Sequence, residues 1–393
     1  MERERARLAE TGLLSREEVE ALIVARYRHG LIRWHGGGTY AVKGVLDCAV
    51  DAETLLATLR ERAAQAGARL LDHHGLTAYR VGPRGVEVTL AGPDGPVTVT
   101  ARLLIDAMGA ASPHARFDLV CPTVGGVLTG LDVGNGPRRI DPEVGEILAS
   151  TEGVEDGRQH IWEGFPAPGG RYTTYLFHYA EPRRLGEHPL LSLYERFFTT
   201  LPRYKSGPAA MAKATYGFIP ASSRLRPAPV SPGDRVVLVG DAAARHSPLT
   251  FCGFGAAMRS FGPVSARLAA ALDADTLSRR HLEDAWQEAP ALAVMGALAL
   301  MMVGGRLGRT EAPWAINALL DDAFGALAGE GDRLFGAFLR DEIGARDFLA
   351  FLNTMRRRRP QVFAEVARRL NPGELAVWTG QAARFGARRW RTP

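Results

Sequence analysis

The chain has 393 residues, 46% of them hydrophobic and 23% charged, which excludes a disordered or fibrous protein and allows more than one core. The formal net charge is only +5, and the arginines are scattered among acids, so no nucleic-acid partner is expected. Cys48, Cys121 and Cys252 lack the spacing of a disulfide framework or zinc site, and no metal site is predicted. The charged N-terminus has no apolar core behind it, which favours a cytoplasmic protein.

Helical patterns open the chain. Ser15 and Glu18 have the spacing of a capping box, which predicts a helix that extends to Tyr27. Asp51 is the predicted N-cap of a second helix, which ends at Gly67. These two helices precede a region of short strands.

The strands are separated by Gly-Pro and Asp-Gly pairs, as hairpins require. They are predicted at residues 69–71, 76–81, 86–90 and 97–101. Residues 103–105 then form a continuous apolar run that ends at Asp106. This pattern predicts a buried strand whose turn lies at the carboxyl edge of an open sheet, where such sheets bind ligands.

The pattern changes near residue 120, where aromatic-rich, strand-like segments begin. A buried strand returns at 236–239, and the chain is helical beyond residue 291. The predicted fold is α/β, or α+β overall, with an inserted antiparallel sheet. The predicted domains are 1–119 and 235–290 for a Rossmann-type nucleotide-binding sheet, 120–234 for a substrate-binding β domain, and 291–393 for a C-terminal helical region.

The segment from 235 to 259 is the strongest functional signal. A strand leads into a Gly240-Asp241 turn, and a Gly253-x-Gly255 pattern then opens a helix of small residues. The Asp241 carboxylate can accept a hydrogen bond from a ribityl hydroxyl, while glycine lets backbone N–H groups and the positive helix end approach an anion. A Gly-Asp turn alone is common in α/β proteins, but Pro248 and the Gly-x-Gly pattern together favour a flavin site. The cofactor-binding residues predicted here are Gly240, Asp241, Ala242, Pro248, Gly253, Phe254 and Gly255.

These residues resemble the third flavin motif of the p-hydroxybenzoate hydroxylase and geranylgeranyl reductase superfamily, whose members bind FAD. The narrower phrase Ser247-Pro-Leu-Thr-Phe-Cys-Gly-Phe-Gly255 is similar to the CruA-type lycopene cyclases. The likeness covers nearly the whole chain. It includes segments at 121–125, 145–151, 162–166, 173–177 and 314–324.

Asp106 and Gly109 resemble the middle motif of the same superfamily, which lies near the nucleotide pyrophosphate. The resemblance therefore implies that both residues belong to the FAD site, with a simple turn role as the alternative for Asp106. Asp51 precedes the helix that the superfamily places beside the adenosine, although N-capping explains this residue as well.

The sequence departs from the superfamily in its first unit. Family members begin with a strand, a GxGxxG turn and a helix, and this sequence contains no such unit. The glycines at 36–38 and 304–308 do not fit, because neither group follows a predicted strand with the required spacing. The expectation is a start placed too far downstream by about one βαβ unit, with loss of the loop as the alternative.

The resemblance implies redox-neutral cyclisation of a carotenoid end group. This reaction needs an apolar pocket and a carboxylic acid that stays protonated through desolvation. Glu163 lies between aromatic residues and is the first candidate for this acid, although it could instead be a partnered strand residue. Glu146 and Glu152 are weaker candidates, and His246 beside the flavin turn is the second catalytic candidate.

Two other functions stay open at this stage. One is a flavin reductase or monooxygenase that consumes NAD(P)H, and the other is a carotenoid-binding protein that has lost FAD. The apolar run at 289–305, flanked by Arg306 and Arg309, predicts either a peripheral contact with the inner face of a membrane or a buried helix.

Overall fold

The computed structural model describes residues 2–225, 229–245, 247, 249–250, 253–285, 290–308 and 310–387. These residues contain twelve α-helices and fourteen strands. The helices are α1 (Glu2–Glu10), α2 (Arg16–Ala21), α3 (Ala52–Gln65), α4 (Pro189–Tyr204), α5 (Gly253–Asp273), α6 (Arg279–Ala285), α7 (Pro290–Leu298), α8 (Ala315–Gly329), α9 (Asp332–Leu339), α10 (Ala345–Arg358), α11 (Val362–Arg369) and α12 (Pro372–Ala387). The strands are β1 (Ile23–Arg26), β2 (His29–Arg33), β3 (Thr39–Val42), β4 (Cys48–Val50), β5 (Gly75–Gly82), β6 (Gly85–Gly92), β7 (Gly95–Ala101), β8 (Leu104–Asp106), β9 (Leu119–Thr129), β10 (Val144–Ala149), β11 (Ile161–Ala167), β12 (Arg171–Phe177), β13 (Ala210–Ala221) and β14 (Val236–Leu238).

The largest layer is a seven-stranded sheet in the order β13-β9-β12-β11-β10-β2-β3. Its neighbours are antiparallel except for β10 and β2, which run parallel. One face packs against α4 through a core that includes Trp162, Tyr172 and Phe197. The other face packs against the C-terminal helices through a core that includes Ile161 and Phe177. Both faces of the central strands are therefore covered, and this explains their aromatic content.

The C-terminal helices bury the apolar run that follows residue 290. Its described residues from 291 to 303 are almost all core residues, which favours the buried-helix alternative. Arg306 forms two ion pairs within the protein, since its guanidinium lies 2.6 Å from Glu181 and 2.8 Å from Glu374. Within the part of the chain that the structure describes, no helix is long and apolar enough to cross a membrane.

A separate parallel pair joins β8 to β14, with Leu104 opposite Val236 and Asp106 opposite Leu238. Helix α5 covers the pair through the core of Val237, Val264 and Leu268. The sequence predicted that this apolar strand would be buried, but Ile105 is 49% exposed. The difference arises because β14 is the only strand that pairs with β8 among the described residues.

The N-terminal segment shows where local patterns succeed and fail. The capping box between Ser15 and Glu18 is confirmed, since each residue's side chain accepts from the other's backbone N–H. The helix ends at Ala21, however, so the predicted extension to Tyr27 is wrong. Residues 23–26 form β1 instead, because pairing with the distant β4 satisfies their backbone groups and suits β-branched side chains.

The predictions for the two ends of α3 are confirmed, but the prediction for the segment that follows is not. Asp51 is confirmed as the N-cap of α3, because its carboxylate accepts from the backbone N–H of Thr54 at 3.0 Å. Gly67, which follows the C-terminal end, has the left-handed φ of 86° that a helix stop favours. The strand predicted at residues 69–71 does not form; the sheet begins at Gly75 with the three-stranded unit β5-β6-β7.

Candidate functional site

The parallel pairing of β8 and β14 brings two predicted motifs together. Because both strands run in the same direction, the turn after Asp106 lies beside the turn after Leu238. The approach is close: a Cβ added to Gly109 would lie 3.8 Å from the Cβ of Asp241. The two segments that the sequence connected with a flavin are therefore neighbours in space.

The Asp106 side chain accepts hydrogen bonds within its own turn. One carboxylate oxygen accepts from the backbone N–H of Met108 at 2.9 Å, and the other accepts from the Ser112 hydroxyl at 2.6 Å. The residue is buried, and Gly109 takes a left-handed φ of 61°. Asp106 thus fixes the shape of the turn, and this geometry also matches the simple turn role considered for it.

The Gly240-Asp241 segment is a 3-10 turn over Gly240–Ala243. Gly240 has a φ of 58°, a left-handed conformation that glycine adopts without strain. Ala242 is buried beneath the turn, and the Arg224 guanidinium donates to the carbonyl of Ala244. Asp241 itself stays exposed, so its carboxylate lies at the surface of a firmly anchored turn.

A cavity of about 280 Å³ lies between this turn and the start of α5. Gly240, Asp241 and Gly253 line it, together with the Arg245 side chain. The positive N-terminal end of α5 and a guanidinium both favour an anionic ligand here. The volume is at the lower end for ligand pockets, so the cavity suits one part of a dinucleotide.

The other residues predicted to bind the cofactor do not line this cavity, or they lie outside the residues that the structure describes. Phe254 is 41% exposed. Gly255 faces α1, because a Cβ there would lie 3.1 Å from Nη1 of Arg259 and 3.8 Å from the Glu4 side chain. This glycine therefore allows close helix packing. His246 and Pro248 lie outside the residues that the structure describes.

Glu163 lies on β11, directly opposite Tyr175 of β12. Its side chain is only partly exposed, and burial raises the pKa of its carboxyl group to about 8. No charged or hydrogen-bonding neighbour among the described residues offsets this effect. Glu163 is thus protonated at neutral pH, and its side chain is still partly exposed to solvent.

The two weaker candidates have different environments. Glu146 forms an ion pair with Lys205, with Oε1 and Nζ 2.7 Å apart. Burial would raise the pKa of Glu152, but hydrogen bonds from His160 at 3.0 Å and Arg196 at 3.1 Å outweigh it and lower the pKa. Burial thus raises the pKa of Glu163, whereas hydrogen bonds lower the pKa of Glu152.

Tyr179 connects the Glu163 face of the sheet with the flavin-motif segment, and no sequence pattern indicated this role. Its hydroxyl donates to the carbonyl of Leu249 at 3.5 Å. Burial raises the pKa of Tyr179 well above its usual value. Tyr179 therefore stays a neutral hydrogen-bond donor at this junction.

Leu249 also lines an apolar cavity of about 90 Å³ among the C-terminal helices. Every lining side chain is hydrophobic, including Ala323, Phe324, Met355 and Trp378. The indole N–H of Trp378 already donates to the carbonyl of Val294 at 3.1 Å, so the cavity suits hydrocarbon. The sequence predicted helices in this region but not the space between them.

Asp341 is a further residue that sequence reasoning missed. It follows α9, is buried, and its Oδ1 accepts from the Thr250 hydroxyl at 2.9 Å. Burial raises its pKa to about 6, although hydrogen bonds from Thr250 and Ser247 and the charge of Arg259 oppose the rise. Asp341 thus holds the segment between the Gly240 turn and α5.

Replacing Asp341 with alanine is expected to lower the free energy of unfolding by about 1–3 kcal/mol, because the buried donors of Ser247 and Thr250 lose their acceptor. Chemical denaturation measures the change. The control is Asp332→Ala at the exposed start of the preceding helix α9, where an effect within about 0.5 kcal/mol is expected. Equal effects of the two variants would contradict the tethering role of Asp341.

No protein-family model and no curated protein sequence matches the chain. Solved structures do match it. Halogenase PltM in complex with phloroglucinol and FAD aligns with a TM-score of 0.60 and 13% identity over 99% of this chain and 82% of that one. A flavoprotein/dehydrogenase from Cytophaga hutchinsonii aligns with a TM-score of 0.56 and 16% identity over 85% and 80%.

OxyS anhydrotetracycline hydroxylase from Streptomyces rimosus aligns with a TM-score of 0.52 and 16% identity, over 87% of this chain and 67% of the hydroxylase. At these identities the likeness concerns the fold. The predicted mixed α/β class is confirmed, and the chain shares its fold with this halogenase, this flavoprotein/dehydrogenase and this hydroxylase.

Proposed function

We propose that this chain is an FAD-dependent enzyme of the lycopene cyclase and geranylgeranyl reductase type, which closes the end group of a hydrophobic isoprenoid without net electron transfer. The observation that carries the proposal is Glu163, an acid that burial keeps protonated near neutral pH. The shared fold supports FAD as the cofactor, because a neighbour was solved with FAD bound.

The residues present fit one part of FAD. Gly240 gives the backbone a tight left-handed turn, Asp241 offers a carboxylate to a ribityl hydroxyl, and the N-terminal end of α5 faces the same cavity. Asp106 and Gly109 would support this site from the neighbouring turn. When bound, reduced flavin would supply negative charge that stabilises a carbocation.

Glu163 would transfer the proton. Its carboxyl proton is added to the terminal carbon–carbon double bond of the substrate, which leaves a carbocation and the Glu163 carboxylate. Attack of a second double bond on the cation forms the ring. Loss of a proton from a neighbouring carbon to the Glu163 carboxylate then gives the neutral product and restores the acid. Cys121 and Tyr179 hold their own protons, because burial raises both pKa values well above their usual range.

The apolar cavity beside Leu249 supports the hydrophobic class of the substrate. Because Leu249 belongs to the segment between the Gly240 turn and α5, a hydrocarbon chain in the cavity would reach towards the cofactor. Burial of such a chain gains free energy in proportion to the apolar area removed from water.

A second candidate is a flavin monooxygenase or reductase that acts on another lipid or an aromatic compound. Its support is the fold, which the chain shares with a halogenase and a hydroxylase. The two candidates differ in stoichiometry, because oxygenation and reduction consume NAD(P)H and cyclisation does not.

The test supplies the full chain with reduced FAD, NAD(P)H and lycopene in detergent. Chromatography measures ring formation, and the loss of NAD(P)H absorbance measures NAD(P)H oxidation. We expect cyclised ends with far less than one NAD(P)H consumed per ring. The cavity-filling variant Ala323→Trp should lower turnover, while Leu349→Trp on the exposed face of α10 should not.

Stoichiometric NAD(P)H oxidation would favour the monooxygenase or reductase. Lycopene binding by a protein that takes up no FAD would instead indicate a carrier. Unchanged turnover in Ala323→Trp would argue against the apolar cavity as the substrate site.

A further inference from the structure

A third cavity, of about 290 Å³, lies on the face of the seven-stranded sheet opposite Glu163. Side chains alternate along a strand, so Glu163 and Trp162 point to opposite faces. Tyr172 shares the core of Trp162 and α4, and it lines this cavity. The cavity is therefore separate from the proposed flavin chemistry.

A buried ion pair forms one wall. Lys205 is 2% exposed, its Nζ lies 2.7 Å from Oε1 of Glu146, and it donates to the carbonyl of Arg139 at 3.2 Å. The same ammonium lies 4.9 Å from the ring centre of Tyr204 and 5.7 Å from that of Tyr172. The Lys205 ammonium thus has several partners, whereas only one carboxylate oxygen of Glu146 has one.

The other oxygen of Glu146, Oε2, is shielded from solvent and accepts no hydrogen bond from the described residues. Nη2 of Arg33 lies 4.0 Å from this oxygen, which is too long for a hydrogen bond. Arg33 donates through Nη1 to the carbonyl of Pro137 at 2.5 Å and so keeps Nη2 close to the cavity wall. A buried carboxylate oxygen without a donor is unusual and favours an incoming hydroxyl or ammonium group.

The charges around the cavity favour an anion as well. Arg33, Arg139 and Lys205 line it against the two acids Glu146 and Asp141. Asp141 is already occupied at the rim, since it lies 3.6 Å from Arg28. A ligand that suits this wall carries an anionic group and a hydrogen-bond donor side by side.

We propose that this cavity is a second ligand site, which binds a small hydroxy acid or amino acid. The ligand carboxylate would pair with Arg33 and Arg139 at the rim, and its hydroxyl or ammonium group would donate to Oε2 of Glu146. The cavity volume is at the lower end for ligand pockets, which suits a small ligand.

The test uses three probes on the full chain, glycolate, glycine and acetate, and measures their binding by calorimetric titration. Glycolate or glycine should bind saturably. Acetate should bind at least about tenfold more weakly, because it has the carboxylate but no donor for Glu146.

Two variants locate the binding. Arg33→Gln removes the cation near Oε2, and the double variant Glu146→Gln/Lys205→Met removes both buried charges together, so that neither is left without its partner. Each should weaken glycolate or glycine binding at least about tenfold. The control is Glu143→Gln, an exposed acid paired with Arg28 outside the cavity, which should bind as the unmodified chain does.

Three results would overturn the proposal. The first is the absence of saturable binding by both glycolate and glycine, and the second is acetate binding as tightly as either of them. The third is unchanged affinity in Arg33→Gln and in the folded double variant. Each is independent of flavin binding, so failure here leaves the proposed function untouched.

Discussion

Replacing Glu163 with glutamine is expected to reduce end-group cyclisation by a factor on the order of a hundred to ten thousand, the range that general acids supply. Glutamine keeps the shape and hydrogen-bonding capacity of the side chain but has no acidic proton. FAD affinity should not change, because Glu163 lies on the seven-stranded sheet and not in the cavity at the Gly240 turn. Product formation and an FAD titration on the same preparation measure both quantities.

The pH dependence gives an independent readout for Glu163. Its pKa rises from an ordinary 4.5 to about 8 in the folded chain, so turnover should fall as the pH rises through about 8 and the proton is lost. Because the folded state holds this proton more tightly than the unfolded one, the contribution of Glu163 to stability should decrease between pH 4.5 and about 8. Glu163→Gln should lack this decrease. A loss of activity of only a few-fold, with an unchanged pH profile, would make Glu163 a structural residue.

Replacing Asp241 with alanine is expected to weaken FAD binding by roughly ten- to a hundredfold, the value of a hydrogen bond to a charged group. The turn should persist in the variant, because buried Ala242 and the Arg224 contact anchor it and Asp241 is exposed. Equilibrium titration that follows flavin fluorescence measures the change even when binding is weak.

The matched control for that titration is Asp273→Ala, which removes an exposed acid at the far end of α5. Its FAD affinity should equal that of the unmodified chain. An Asp241→Ala protein with full affinity would remove the Gly240-Asp241 turn from the cofactor assignment, whatever the catalytic results for Glu163.

Local sequence rules identified the features that depend on a few neighbouring residues. The capping box at Ser15 and the juxtaposition of the Asp106 and Gly240 turns follow from helix capping and from the geometry of parallel strands. The contact of Asp341 with Thr250 joins residues 91 apart in sequence, so no local pattern signals it. The apolar cavity also arises only when several helices pack together.

Among the residues that the structure describes, β8 has one unpaired edge, beside the cavity at the Gly240 turn. Ile105 lies on this edge and also lines the cavity at the Gly240 turn. An unpaired edge is a template for a further strand, and a parallel neighbour has to arrive through a long crossover or from another polypeptide. A strand added there would lie against the wall of the cavity. If the added strand raises the affinity of the cavity for its ligand, thermodynamic reciprocity requires that the bound ligand raise the affinity of β8 for the strand by the same factor.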